Sequence, residues 1–231
     1  MTIARHQSQP ITRSLESMPN LDLSVDRANA LALTPVSRET AERLDTFVAC
    51  LLRRQQTTNL IASSTIPQIW TRHIADSLQL MSLAPTASIW VDLGSGAGFP
   101  GIAIACALAG RAGARVHLIE SIKKKAAFLQ EAVAATGVPA VVHSERIEDV
   151  IRRGDLRPDV VTARALAPMR TLLGYVRPFV KTGAQALLLK GQDVEAELTD
   201  SSKYWNIEHE LAASKTSASG KIVIIRSVEA R

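Results

Sequence analysis

One run constrains this chain more than any other: Ile89-Trp90-Val91-Asp92-Leu93-Gly94-Ser95-Gly96-Ala97-Gly98-Phe99-Pro100-Gly101. All but Asp92 in its first five positions are apolar, which suits a strand covered on both faces. Glycines at 94, 96 and 98 then remove side chains where the backbone must turn tightly and where a ligand must come close. Pro100 fits the first turn of a helix, where a missing N–H costs little. The apolar stretch Ile102 to Leu108 continues that helix. Its N-terminus offers partial positive charge to the polar end of a ligand.

The run carries two readings. Gly96-Ala97-Gly98-Phe99-Pro100-Gly101 fits the dinucleotide fingerprint, and an NAD oxidoreductase follows from that fit. The longer pattern Asp92-x-Gly94-x-Gly96-x-Gly98 resembles the loop of Rossmann-like methyltransferases more closely. Charge separates the two. A pyrophosphate calls for N–H donors without a neighbouring carboxylate. A ligand with an ammonium and a sulfonium, as in S-adenosylmethionine, suits an aspartate before the first glycine.

Around the run, strand and helix signals alternate. Strands are expected at Arg115–Glu120, Ala140–His143, Asp159–Arg164 and Gln185–Lys190. Helices are expected at Ile122–Thr136, stopped by Gly137, and at Ile147–Arg153, Arg170–Val180 and Val194–Ser202. Ile207–Leu211 and Ile222–Ile225 read as a hairpin-like pair. The expected fold class is therefore α/β, with a mostly parallel sheet and helices on both faces. Upstream, Ser37 reads as the N-cap of a helix bearing Leu44, Phe47, Val48, Leu51 and Leu52 on one face. A second helix is expected from Ser64 to Leu83. The resulting divisions are a mobile extension over 1–35, a helical cap over 36–84 and a core over 85–231, the last two forming one unit.

Composition bounds the function. The chain has 231 residues, 46% of them hydrophobic, enough for one good-sized domain. Its net charge of +5 favours a polyanionic partner. Cys50 and Cys106 sit in apolar patterns, which points to buried thiols and a reducing, cytoplasmic setting. No metal-ligand spacing is present, and the longest apolar run is too short to span a bilayer. A monomer without metal or membrane attachment is expected.

In a doubly wound sheet, ligands sit beyond the carboxyl ends of the strands. Glu120, at the end of the second strand, is placed to accept hydrogen bonds from both hydroxyls of an adenosine ribose. Backbone groups at Ile147, with Glu148, follow the third strand and are placed at the adenine edge. Arg164 ends the fourth strand, where a guanidinium would bind a cofactor carboxylate or a substrate phosphate. Lys123-Lys124-Lys125 opens a helix against its dipole, a choice that a phosphate-facing role would explain. His73 reads as a buried, hydrogen-bonded residue rather than an acid or base.

In this order, several segments resemble the bacterial small-subunit ribosomal RNA guanine-N7 methyltransferases, the glucose-inhibited division protein B family. They are Asn59-Leu60-Ile61, Arg72-His73-Ile74-x-Asp76-Ser77, the run Asp92 to Gly101, and Glu120-Ser121-x-x-Lys124-Lys125-x-x-Phe128-Leu129. Arg146-x-Glu148, Arg164-Ala165 and Lys190-Gly191-Gln192 complete them. Ala103 stands where the family often has proline. The resemblance implies S-adenosylmethionine as cofactor, with Gly94, Gly96, Gly98, Phe99, Glu120, Ile147, Glu148 and Arg164 about it. It implies 16S ribosomal RNA or the small subunit as partner, with the Arg72/His73 and Lys190 segments flanking the RNA side. A small-molecule methyltransferase and a non-catalytic RNA-binding or assembly factor are the alternatives.

Overall fold

Alternation along β1 (Ile89–Leu93) sets the layers. Trp90 packs into one hydrophobic cluster and Val91 and Leu93 into the other, so the strand is covered on both faces. The computed structural model describes residues 21–231; the first 20 residues of the mobile extension expected over 1–35 fall outside them.

Seven strands form one sheet in the order β3 (Ala140–His143), β2 (Arg115–Ile119), β1, β4 (Val160–Arg164), β5 (Gln185–Lys190), β7 (Lys221–Ala230), β6 (Trp205–Ala213). The first five in that order run parallel, whereas β7 is antiparallel to both β5 and β6. The expected terminal hairpin is present, and its second strand inserts between its partner and the parallel sheet. α4 (Gly101–Leu108) and α5 (Lys123–Thr136) cover one face together with the N-terminal helices. α6 (Ile147–Arg153), α7 (Met169–Val180) and α8 (Val194–Ser201) cover the other. Gly137 ends α5 in the left-handed conformation, with φ +62°, as its position predicted. From β1 the chain crosses to β2 on one side, while β4 lies on the other. The carboxyl ends of β1 and β4 therefore flank the crevice of this sheet.

The N-terminal part of the described chain departs from expectation in two places. Residues 24–33, expected to be mobile, form α1 (Ser24–Leu33), with Ala30 fully buried. Its own amphipathic signal is weak; side-chain contacts decide the matter. Arg27 makes a two-pronged ion pair with Asp45 at 2.7 Å, and Asp26 accepts the Trp70 amide at 2.8 Å and the Thr71 hydroxyl at 2.5 Å. α2 (Arg38–Gln55) begins as expected, with Ser37 Oγ accepting the Thr40 amide at 3.2 Å. Arg53 and Arg54 at its end both pair with Glu131 of α5.

The single helix expected over Ser64–Leu83 is broken. It consists of a 3₁₀ segment Ser63–Gln68, a π-helical segment Trp70–Ala75, one α-turn α3 (Asp76–Leu78) and a 3₁₀ segment Gln79–Leu83. Pro67 has no N–H for an α-helical ladder, and Asp26 takes the amides where the next segment starts.

Asp26→Ala removes an anionic acceptor for these amides. The expected cost is about 1–2 kcal/mol, read as a lower denaturant midpoint with an unchanged far-ultraviolet spectrum.

Candidate active site

The glycine loop is held from beneath by a buried carboxylate. Asp92 is 1% exposed; its Oδ2 accepts the Gly101 amide at 3.1 Å and its Oδ1 accepts the Thr162 hydroxyl at 3.0 Å. Burial pushes its pKa up to about 6, against hydrogen bonds from Ser95, Thr162 and Gly101 that favour the charged form. The residue expected to confront a cationic ligand is thus a strut that ties β1, β4 and the first amide of α4 together. Gly101 is part of the same fit. A Cβ there would stand 2.2 Å from Leu118 Cδ2 and 2.7 Å from Asp92 Oδ2.

The loop amides are largely committed to protein acceptors. Ser95 N–H donates to Ile119 O, Gly98 N–H to Ser95 O and Ile102 N–H to Gly98 O. The Gly96 amide donates to Glu120 Oε2 at 2.9 Å. With the Gly101 amide also taken, the amides of Ser95, Gly96, Gly98 and Gly101 are not free to meet a pyrophosphate. That weighs against the dinucleotide reading.

Two cavities lie beyond the strand ends, one against this loop and one beside it, with Ala165 lining both. The first, about 360 Å³, is lined by Gly94, Gly96, Glu120, Ile147, Glu148 and Tyr175 among others. It gathers five of the eight residues proposed from sequence. Glu120 Oε1 accepts the Ile122 amide at 2.7 Å, so each carboxylate oxygen holds one backbone donor and keeps lone pairs for another. Glu148 Oε1 accepts the Tyr175 hydroxyl at 2.7 Å, a bond that holds the carboxyl below its ordinary range. At Gly94, φ is +66° and a Cβ would lie 2.5 Å from Leu166 Cδ1, so a side chain here is strained by the backbone and must displace Leu166.

Gly98, Phe99 and Arg164 are placed elsewhere. Neither Gly98 nor Phe99 lines this cavity. The Phe99 ring is 4% exposed, with centroids 5.1 Å from Phe47 and 5.0 Å from His73. Arg164 lines a second cavity of about 390 Å³ with Arg72, His73, Asp76, Lys190 and Lys221. Its guanidinium donates to His73 Nδ1 at 2.7 Å and to Arg72 O at 3.2 Å, and lies 3.5 Å from Asp76 Oδ2. Burial pushes the Arg164 pKa down while Asp76 opposes that shift. Its role in the fold is to brace the cap against β4.

His73 has both ring nitrogens engaged. Because Arg164 can only donate to Nδ1, the proton sits on Nε2, which bonds Thr65 Oγ1 at 2.9 Å. Burial, then the charges of Arg164 and Arg72, pull its pKa to about 3. The ring is neutral and structural, as its sequence context predicted. Lys125 lines the first cavity, whereas Lys123 and Lys124 are exposed. Tyr175 and the turn 214–220 were not anticipated. No spacing distinguishes a tyrosine on an amphipathic helix, and the turn reaches the site only through the sheet order.

This sheet, with a glycine loop at its switch point and an acid after β2, is that of Rossmann-like S-adenosylmethionine-dependent methyltransferases. Solved methyltransferases share it. An O-methyltransferase, TomG, from Streptomyces achromogenes in complex with S-adenosylmethionine aligns with TM-score 0.57 and 16% identity, over 88% of this chain and 96% of that one. An O-methyltransferase from Bacillus cereus in complex with S-adenosylhomocysteine gives 0.56 and 14%, over 87% and 96%. These identities establish the fold alone.

Sequence carries the assignment further. A family model described as rRNA small subunit methyltransferase G, GidB, matches residues 40–225. A protein named ribosomal RNA small subunit methyltransferase G from Bradyrhizobium sp. (strain ORS 278) is 60% identical, over 91% of this chain and 95% of the relative. The protein of the same name from Nitrobacter hamburgensis is 57% identical, over 100% and 88%. The chain belongs to this family of rRNA methyltransferases.

A raised carboxyl pKa means that the folded state keeps its proton to higher pH than the unfolded chain. Asp92 therefore contributes most to stability below about pH 4, and up to about 3 kcal/mol is lost as pH climbs through 6. Asp92→Asn should show a shallower decline than the native chain across that interval, measured as paired denaturation midpoints.

Proposed function

We propose that the protein methylates N7 of a guanine in 16S ribosomal RNA, within the small ribosomal subunit or its RNA. The observation that carries this reading is the family match over residues 40–225, set on a glycine loop whose cavity suits an adenosine. Glu120 accepts the ribose hydroxyls, Ile147 and Glu148 lie at the adenine, and Gly94 and Gly96 let the ligand lie against the backbone. Gly98 and Phe99 act from behind, by shaping the loop.

S-adenosylmethionine supplies an electrophilic methyl group on a sulfonium. Guanine N7 has a lone pair and no proton, so no base is needed to create the nucleophile. What remains for the chain is alignment and the exclusion of water. The site's chemistry agrees with that division. His73 is neutral with both nitrogens engaged, and Arg164 is braced, so neither is free to move a proton. The basic balance of the chain favours an RNA acceptor over a small metabolite. A bacterial enzyme of this activity works in the cytoplasm.

The test is incubation with methyl-labelled S-adenosylmethionine and 16S rRNA or small-subunit particles, followed by nucleoside analysis. N7-methylguanosine is expected; label confined to small metabolites, or to another atom, overturns the reading. Glu120→Ala should lower S-adenosylmethionine affinity by about tenfold or more, measured by calorimetry, with RNA affinity retained.

A further inference from the structure

We infer that the second cavity is the acceptor-nucleotide pocket, and that Arg72 and Lys221 are its phosphate contacts. The inference rests on the RNA reading above and deepens it. Four observations place the acceptor there.

The first is connection. Ala165 lines both cavities and is the one non-glycine residue with positive φ, +50°, among the described residues. A donor in the first cavity and a nucleophile in the second meet over its small side chain.

The second is charge. Arg72, Arg164, Lys190 and Lys221 line the second cavity against a single acid, Asp76. Lys190 is neutralised by Glu197 at 2.7 Å, and Arg164 is held by His73 and Asp76. Arg72 and Lys221 have no acidic partner among the described residues. The Arg72 charge lies near enough to depress the pKa of both His73 and Arg164. An uncompensated guanidinium beside a buried one favours an anion at the mouth.

The third is that the two cations come from separate elements. Arg72 projects from the π-helical segment of the cap, and Lys221 opens β7. Consecutive phosphates of one strand can thus be held at two points while the base between them is turned inward.

The fourth is that the wall is preorganised. Thr216 Oγ1 donates to Asp76 Oδ1 at 2.7 Å, the Lys215 amide donates to Gln79 Oε1 at 2.8 Å, and Gln79 Nε2 donates to Asp76 Oδ1 at 2.8 Å. The turn that leads into Lys221 is therefore tied to the same cap that carries Arg72.

The experiment uses the full chain, S-adenosylmethionine and a 16S rRNA transcript or small-subunit particles. Arg72→Ala, Lys221→Ala and the double variant are compared with Lys203→Ala. That control removes the same charge from an exposed pair with Asp200. Each single variant should raise KM for RNA about tenfold with kcat little changed. Each should also flatten the dependence of log affinity on log salt by about 0.7 for every phosphate no longer neutralised. Affinity for S-adenosylmethionine should be unchanged, and Lys203→Ala should behave as the native protein. If the native chain methylates RNA but both variants keep its KM and salt slope, or Lys203→Ala loses as much as they do, the pocket assignment falls while the RNA reading stands. If the native chain methylates no RNA, both fall.

Discussion

A buried carboxylate beneath a glycine loop is the constraint on which this site depends. Asp92 has almost no solvent contact, yet it accepts donors from α4 and β4 at once. A carboxyl in that position is costly, and burial raises its pKa accordingly. In return, one side chain fixes the strand that delivers the loop, the helix that leaves it and the neighbouring strand across the crevice. Removing the acceptor would strand the Gly101 amide and the Thr162 hydroxyl in the core. The loop's shape is therefore set by what lies under it, before any ligand arrives.

The same economy recurs around the crevice, where polar groups hold one another and leave selected valences open. Glu120 fastens the loop through Gly96 and the start of α5 through Ile122, and still has lone pairs facing the cavity. Arg164 joins the cap to β4 through His73 and Arg72 and does not reach into the first cavity. Phe99 packs against Phe47 and His73, so the loop rests on two aromatic rings of the cap. The cap is consequently part of the site. Its π-helical segment sets His73 under Arg164 and leaves Arg72 at the mouth of the second cavity. A reaction that requires alignment rather than proton transfer is well served by such a frame, because rigidity is what the chain contributes.

Much of this was legible in the sequence for identifiable reasons. The parallel sheet followed from the alternation of short apolar strands with amphipathic helices, and Gly137 and Ser37 marked helix ends through local chemistry that needs no partner. The acids and glycines at strand ends were found because topology sends those ends to the crevice. The errors arose where distant residues decide. Residues 24–33 have little pattern of their own and fold because Asp26 and Arg27 find partners far along the chain. The segment 63–83 has a helical pattern, but Pro67 and Asp26 divide it.

The sequence by itself determined the fold class, the loop and the family, since these depend on periodicity and on ordered motifs carried along one chain. Tertiary structure alone decided the direction of each side chain. It turned Asp92 and Phe99 inward, engaged Arg164 with His73, and brought the turn 214–220 beside the cap across an inserted antiparallel strand. Residue order records which groups are present. Whether a carboxylate meets a ligand or an amide depends on which neighbour packing delivers to it, and the neighbours of these residues come from segments distant in the chain.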